Sequence, residues 1–170
     1  MIEIIQLTIP ALLVLITAYV LLDKMLKNDD KRRNFELQLK NNQVTTPLRL
    51  RAYERLALVL ERTKPTNIVL ATLKPAMNCF ELQSQLLASI REEFGHNASQ
   101  QIYVSNELWS AIRATQENLI QLVNLCATQC AVDAIAAELA EKIIQLYAQS
   151  DNSHGEVAID MLKKEVRELF

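Results

Sequence analysis

Two glycines in 170 residues leave this chain few positions for tight turns. Strand-rich domains need such residues at their hairpins. Ala, Leu, Gln, Glu, Lys and Arg dominate instead, so the composition predicts an all-α fold with few connections.

Residues Ile4 to Leu22 carry no charged side chain, and Lys24, Lys27, Lys31, Arg32 and Arg33 follow at once. A helix of that length rises by roughly the ~30 Å of a bilayer's hydrocarbon core, so the stretch reads as a transmembrane anchor. The basic residues after it place the larger part of the chain in the cytoplasm and the N-terminus outside. A cleaved signal peptide and a buried core helix are the alternatives. The first lacks a basic leading region and a small-residue cleavage site, since Leu21-Leu22-Asp23-Lys24 is a poor one. The expected organisation is an anchor over 1–23, a basic juxtamembrane stalk over 24–46 and a cytoplasmic α-helical domain over 47–170. Its fold class is an N-terminal transmembrane helix followed by a helical bundle containing one long helix or a helix pair.

Charge supports that division. Lys24 to Lys64 is net basic by six, Pro65 to Phe170 is net acidic by six, and the whole chain stands at −2. A basic arm beside anionic lipid headgroups gains about 1 kcal/mol per well-placed Lys or Arg, which assigns Lys24, Lys27, Lys31, Arg32 and Arg33 to headgroups. Nucleic acid is not expected, because the arm's aromatics, Phe35 and Tyr53, form no stacking pattern. Cys79, Cys126 and Cys130 make neither a disulfide framework nor a four-ligand zinc pattern. The pair Cys126 and Cys130 reads as small core residues on one helix face.

Downstream, Thr45-Thr46-Pro47 signals the start of a helix over Leu48 to Thr63, with Tyr53, Leu56, Val59 and Leu60 on one face and Arg51, Arg55 and Arg62 on the other. Pro65 ends it. A connector over Thr66 to Met77 follows, broken again at Pro75. Asn78 and Glu81 form a capping pair for a helix that buries Leu82, Leu86, Ile90 and Phe94 and stops at Gly95. A polar loop runs from His96 to Val104, ending in a short extended piece, Ile102-Tyr103-Val104. Ser105 caps the next helical run, whose apolar positions continue from Leu108 almost to Ser150, as one helix or as two with a break near 131–134. Ile135 belongs to that apolar row. Asp151-Asn152-Ser153-His154-Gly155 reads as a turn, and Glu156 to Phe170 as a last helix with Val157, Leu162, Val166 and Leu169 inward.

The segments Leu48-Arg49-Leu50-Arg51-Ala52-Tyr53-Glu54-Arg55-Leu56, Arg91-Glu92-Glu93-Phe94-Gly95-His96-Asn97 and Ser99-Gln100-Gln101-Ile102-Tyr103-Val104-Ser105 carry a resemblance. With the leading apolar stretch they make the chain similar, over nearly its whole length, to an uncharacterised bacterial family of small single-pass membrane proteins, a domain of unknown function. The resemblance implies an anchor and a helical domain, and no activity, cofactor or partner.

Chemistry is sparse. Glu93 and His96 form one Glu-x-x-His step, whereas a di-iron bundle uses two such steps and two further carboxylates. Gly-x-Ser-x-Gly, phosphate-binding glycine loops and His-Glu-x-x-His are all missing, so no catalytic, cofactor or metal residue is assigned and no cofactor is expected. The first expectation is a membrane-anchored helical interaction or assembly module without catalytic activity, binding an unknown protein or a second copy of itself. Its candidate patch is Arg49, Arg51, Arg55, Glu92, Glu93, His96, Asn97, Gln100 and Gln101. An exposed apolar stripe on the long helix would support it. The alternative is an enzyme or metal-binding helical protein with a site around Glu93 and His96. A third class binds a lipid or small ligand within the bundle.

Overall fold

The computed structural model describes the backbone of residues 2–131, 134–149 and 154–169, and their side chains except those of 2–14, 16, 18 and 41. In chain order the elements are α1 (Ile2–Arg62), α2 (Pro65–Thr72), α3 (Cys79–His96), a 3-10 helix (Ala98–Tyr103), α4 (Asn106–Thr128), α5 (Ala136–Gln149) and α6 (His154–Arg167). The described residues form no strand; a lone antiparallel bridge joins Asn78 to Ile135. The chain divides into two compact units, Met1–Pro47 and Leu48–Phe170.

The first unit is helical throughout its described residues. Its helix is steadied from within by Lys27 to Asp23 at 2.7 Å and Arg32 to Glu36 at 3.1 Å, both one turn apart and exposed. Such pairs contribute a few tenths of a kcal/mol each. The expected anchor is corrected here. Among the described residues no helix is long and apolar enough to cross a membrane. Much of the expected span, 4–14 with 16 and 18, lies outside the described side chains. The transmembrane segment, the single-pass topology and the N-out, C-in orientation are therefore withdrawn. So is the headgroup role of Lys24, Lys27, Lys31, Arg32 and Arg33, which rested on the anchor.

Pro47 does not start a helix. It lies inside α1, where its ring nitrogen has no proton for the carbonyl one turn back. It is also the last residue of the first unit.

In the second unit the final turns of α1 bury Ala52, Tyr53, Leu56, Val59 and Leu60. These positions recur at three- and four-residue spacing, the period of one helix face. Leu82, Leu86 and Ile90 on α3 are fully excluded from solvent, each contributing about 1.5–3 kcal/mol of burial. Ile112, Leu119, Val123 and Cys126 of α4 join Leu139 and Ile143 of α5 and Leu162 of α6 in the same core. Helix α4 packs against α3, α5 and α6, and α2 against α3 and α5.

Local chemistry sets the boundaries. Asn78 accepts from the Glu81 N–H at 2.8 Å while Glu81 accepts from the Asn78 N–H at 3.1 Å, a complete capping box. Ser105 accepts from the Leu108 N–H at 3.1 Å and starts α4. Several expectations shift. The first part of the connector expected over Thr66 to Met77 is instead helix α2, with Pro65 in its first turn, where a missing N–H costs nothing, while 73–77, with Pro75, is non-helical. Gly95 does not stop α3, which runs to His96 and is closed by Asn97, whose amide donates to the Glu93 carbonyl at 2.9 Å. Ile102 and Tyr103 are in the 3-10 helix rather than an extended piece. The long apolar run is two helices, α4 and α5, separated at 129–135. Ile135 and Val157 are exposed rather than inward. The expected turn at Asp151-Asn152-Ser153 lies outside the described residues, while His154 and Gly155 already belong to α6.

Candidate functional site

A cavity of about 460 Å³ opens in the second unit between the end of α1, the start of α2, the middle of α4, the end of α5 and the first residues of α6. Its apolar wall comes from Leu60, Pro65, Leu119, Leu122 and Leu146, and its polar groups from Thr63, Lys64, Thr115, Asn118, Tyr147, Gln149 and His154. A volume of several hundred Å³, mostly apolar with a few converging polar groups, is the usual form of a small-molecule site.

Each wall is held by local hydrogen bonding. Thr63 is fully buried just past the last residue of α1. Its hydroxyl and its N–H both donate to the Val59 carbonyl, at 2.7 and 3.0 Å. Thr115, also buried, donates to the Ala111 carbonyl at 2.9 Å. In both cases the hydroxyl proton is spent on the helix, and the oxygen keeps its capacity to accept. The corner between α1 and α2 is fixed by Asn67, whose amide donates to the Glu61 carbonyl at 2.7 Å. The Lys64 carbonyl accepts from the N–H groups of Asn67 and Ile68, both at 2.9 Å.

Lys64 supplies the cavity's positive charge. Its ammonium bonds Glu61 at 2.9 Å, and this bond, ahead of the opposing effect of burial, holds its pKa above the ordinary lysine value. Glu156 also acts on it electrostatically. Two carboxylates thus already face one ammonium. An ammonium has three donors and Glu61 occupies one. The arrangement leaves the ammonium able to donate further and disfavours a multiply charged anion.

The residues expected to form a surface patch are distributed otherwise. Arg49 turns into a polar cluster, donating to the Tyr103 carbonyl at 3.2 Å and to the Tyr53 hydroxyl at 2.9 Å. Tyr53 donates to Glu165 at 2.7 Å, and Glu165 accepts from the Ser105 N–H at 2.9 Å and the Ser105 hydroxyl at 2.8 Å. Arg51, Arg55, Glu92, His96 and Gln101 are exposed, Gln100 is half-buried, and Asn97 serves as the cap of α3. Glu93 lies 3.7 Å from Arg62. The metal alternative around Glu93 and His96 is overturned, since among the described residues no three His, Cys, Asp or Glu side chains gather closely enough to hold an ion. Glu93 is paired with an arginine instead. The interaction-module reading, with its unknown protein partner or homo-oligomer, loses its support as well. It required an anchor and an exposed apolar stripe, yet the apolar faces of α4 and α5 are consumed by the core, and among their described residues Leu125 alone is a large exposed hydrophobic.

The cavity residues went unnoticed in the sequence because five separate elements supply them. One signal was present. Thr63 and Thr115 occupy core positions, Thr63 one turn after Val59 and Leu60, Thr115 between Ile112 and Leu119. A hydroxyl at such a position marks a place where the packing meets something polar.

The chain matches, over residues 1–169, the family described as "Family of unknown function (DUF7935)", and it belongs to that family. The single-pass membrane character implied by the earlier resemblance is not retained, since no spanning helix exists among the described residues. No curated protein and no solved structure matches the chain.

Proposed function

We propose that this member of the DUF7935 family binds a small amphiphile, an apolar body with one singly charged or neutral acceptor end, in the cavity between α1, α2, α4, α5 and α6. The observation that carries the reading is the cavity of about 460 Å³, whose apolar wall faces one ammonium and two buried hydroxyls. The body lies along Leu60, Leu119, Leu122 and Leu146. Its acceptor end takes a donor of Lys64, and a ligand hydroxyl or N–H can donate to the Thr115 oxygen. A medium-chain carboxylate has this chemistry.

Calorimetric titration of the full chain with decanoate tests it. The expected result is saturable binding at one site, lost in Leu122→Trp, where the indole fills the cavity, and weakened severalfold in Lys64→Gln. Absence of saturable binding, or a Leu122→Trp chain that is folded by circular dichroism and binds as wild type does, would overturn the proposal.

A further inference from the structure

The three cysteines, separated by up to 51 positions of sequence, meet in one cluster. The Met77–Cys79 segment is pinned against 134–136 by two backbone hydrogen bonds. Cys79 N–H donates to the Ala134 carbonyl at 3.0 Å and Ala136 N–H donates to the Met77 carbonyl at 3.1 Å, which together make the antiparallel bridge of Asn78 with Ile135. This docks the first residue of α3 beside the end of α4, where Cys130 lies. The Cys130 thiol is half-buried and donates to the Cys126 carbonyl at 3.5 Å, and the Lys142 ammonium stands 3.9 Å from its sulfur. Lys142 is itself fixed by the Gln129 carbonyl at 2.6 Å and Glu138 at 2.7 Å. The Cys79 thiol neighbours that of Cys130. Burial first, and that contact second, push it up to about 11, so it is a neutral thiol at ordinary pH. Burial raises Cys126 too.

We propose that Cys130 is a peroxide-reactive cysteine and that Cys79 resolves it as an intramolecular disulfide. The accessible sulfur of Cys130 attacks one oxygen of hydrogen peroxide. The S–O bond forms and the O–O bond breaks. The thiol proton leaves with the departing oxygen as water, and Cys130 becomes a sulfenic acid, oxidised by two electrons. Cys79 sulfur then attacks the sulfenic sulfur. The S–S bond forms, the S–O bond breaks, and the Cys79 proton leaves with the hydroxyl as a second water. Lys142 places a positive charge beside the sulfur undergoing attack chemistry, the setting in which reactive cysteines are found. Cys126 is the spectator, its side chain almost wholly buried and its carbonyl accepting from the Cys130 thiol.

The test is peptide mass spectrometry of the native full chain after brief hydrogen peroxide treatment and alkylation. A peptide cross-linked through Cys79 and Cys130 is expected in wild type and in Cys126→Ser. It is lost in Cys79→Ser, where dimedone traps Cys130 as the sulfenic acid. Lys142→Gln slows formation severalfold and Lys142→Arg restores it. A Cys126–Cys130 linkage, an intermolecular linkage, or thiols that resist peroxide until the wild-type chain is unfolded overturns the proposal. The wild-type readout stands even where a variant fails to fold.

Discussion

The Tyr53 hydroxyl donates to Glu165 at 2.7 Å across 112 positions of sequence. Around that bond the end of α1, the 3-10 helix, the start of α4 and the end of α6 are tied together, because Arg49 donates to Tyr53 and to Tyr103 while Glu165 also takes both donors of Ser105. Arg49 further lies 5.9 Å from the centre of the Tyr53 ring. A charge-assisted bond in a half-buried site is worth more than a surface pair.

Tyr53→Phe keeps the ring's packing and removes only the hydroxyl. It is expected to cost about 1–3 kcal/mol, since Arg49 and Glu165 both lose a partner. Urea unfolding followed by circular dichroism measures it. A change below a few tenths of a kcal/mol would show that the cluster adds nothing to stability.

The same residue gives an alkaline pH dependence. Burial first, then the bond to Glu165, hold the Tyr53 phenol above its ordinary value of 10.0. A folded state that binds a proton more tightly than the unfolded chain gains stability below the unfolded pKa and loses it as pH rises through the folded one. Stability of the wild type should therefore fall more steeply than that of Tyr53→Phe above about pH 10. Cys79 titrates in the same direction but is common to both chains, so the difference between their urea midpoints isolates Tyr53.

Asn78→Ala removes the side-chain half of the capping box at α3 and leaves the backbone N–H of residue 78 bonded to Glu81. The expected loss is about 1 kcal/mol, within the range for removal of a side-chain cap. Asn78→Ser, which can still accept from the Glu81 N–H, should recover most of it. Thermal melts of the three chains decide the matter.

Ala76 carries φ of 65°, and it is the one non-glycine residue with positive φ among those described. It follows Pro75 in a turn closed by Met77 N–H to the Lys74 carbonyl at 3.4 Å. Proline followed by a left-handed residue is the pattern of a type II turn, whose third position favours glycine. Ala76→Gly should thus raise stability by up to about 1 kcal/mol, the relief of the Cβ clash offset in part by the looser unfolded chain. A lower melting temperature would contradict the turn assignment.

Helices were legible in this sequence wherever periodicity and capping agreed. Asn78 with Glu81 and the fourfold step Leu82, Leu86, Ile90, Phe94 identify α3, and Ser105 opens α4 as its side chain requires. Prolines were read less well, because Pro65 suits a helix start as readily as a stop and Pro47 is tolerated inside α1. Ile135 and Val157 look inward by spacing, yet they lie at helix ends where the face turns to solvent. The stretch from Ile4 to Leu22 lies mostly outside the described side chains, and among the described residues no helix is long and apolar enough to cross a membrane. What the sequence concealed was long-range. Nothing local announces that Tyr53 meets Glu165, that Cys79 docks beside Cys130, or that Thr63 and Thr115 border a common cavity. Such relationships arise only when α1, α3, α4 and α6 pack.

The central claim is that the cavity bordered by Leu60, Leu119, Leu122 and Leu146 holds an amphiphile, and methyl NMR of the full chain titrated with decanoate tests it most directly. The account predicts saturable shifts in the methyl signals of those four leucines, with Leu82 and Leu86 in the sealed core unmoved. Shifts confined to the exposed Leu21, Leu22 and Leu26, or no saturable shift at all, would contradict it.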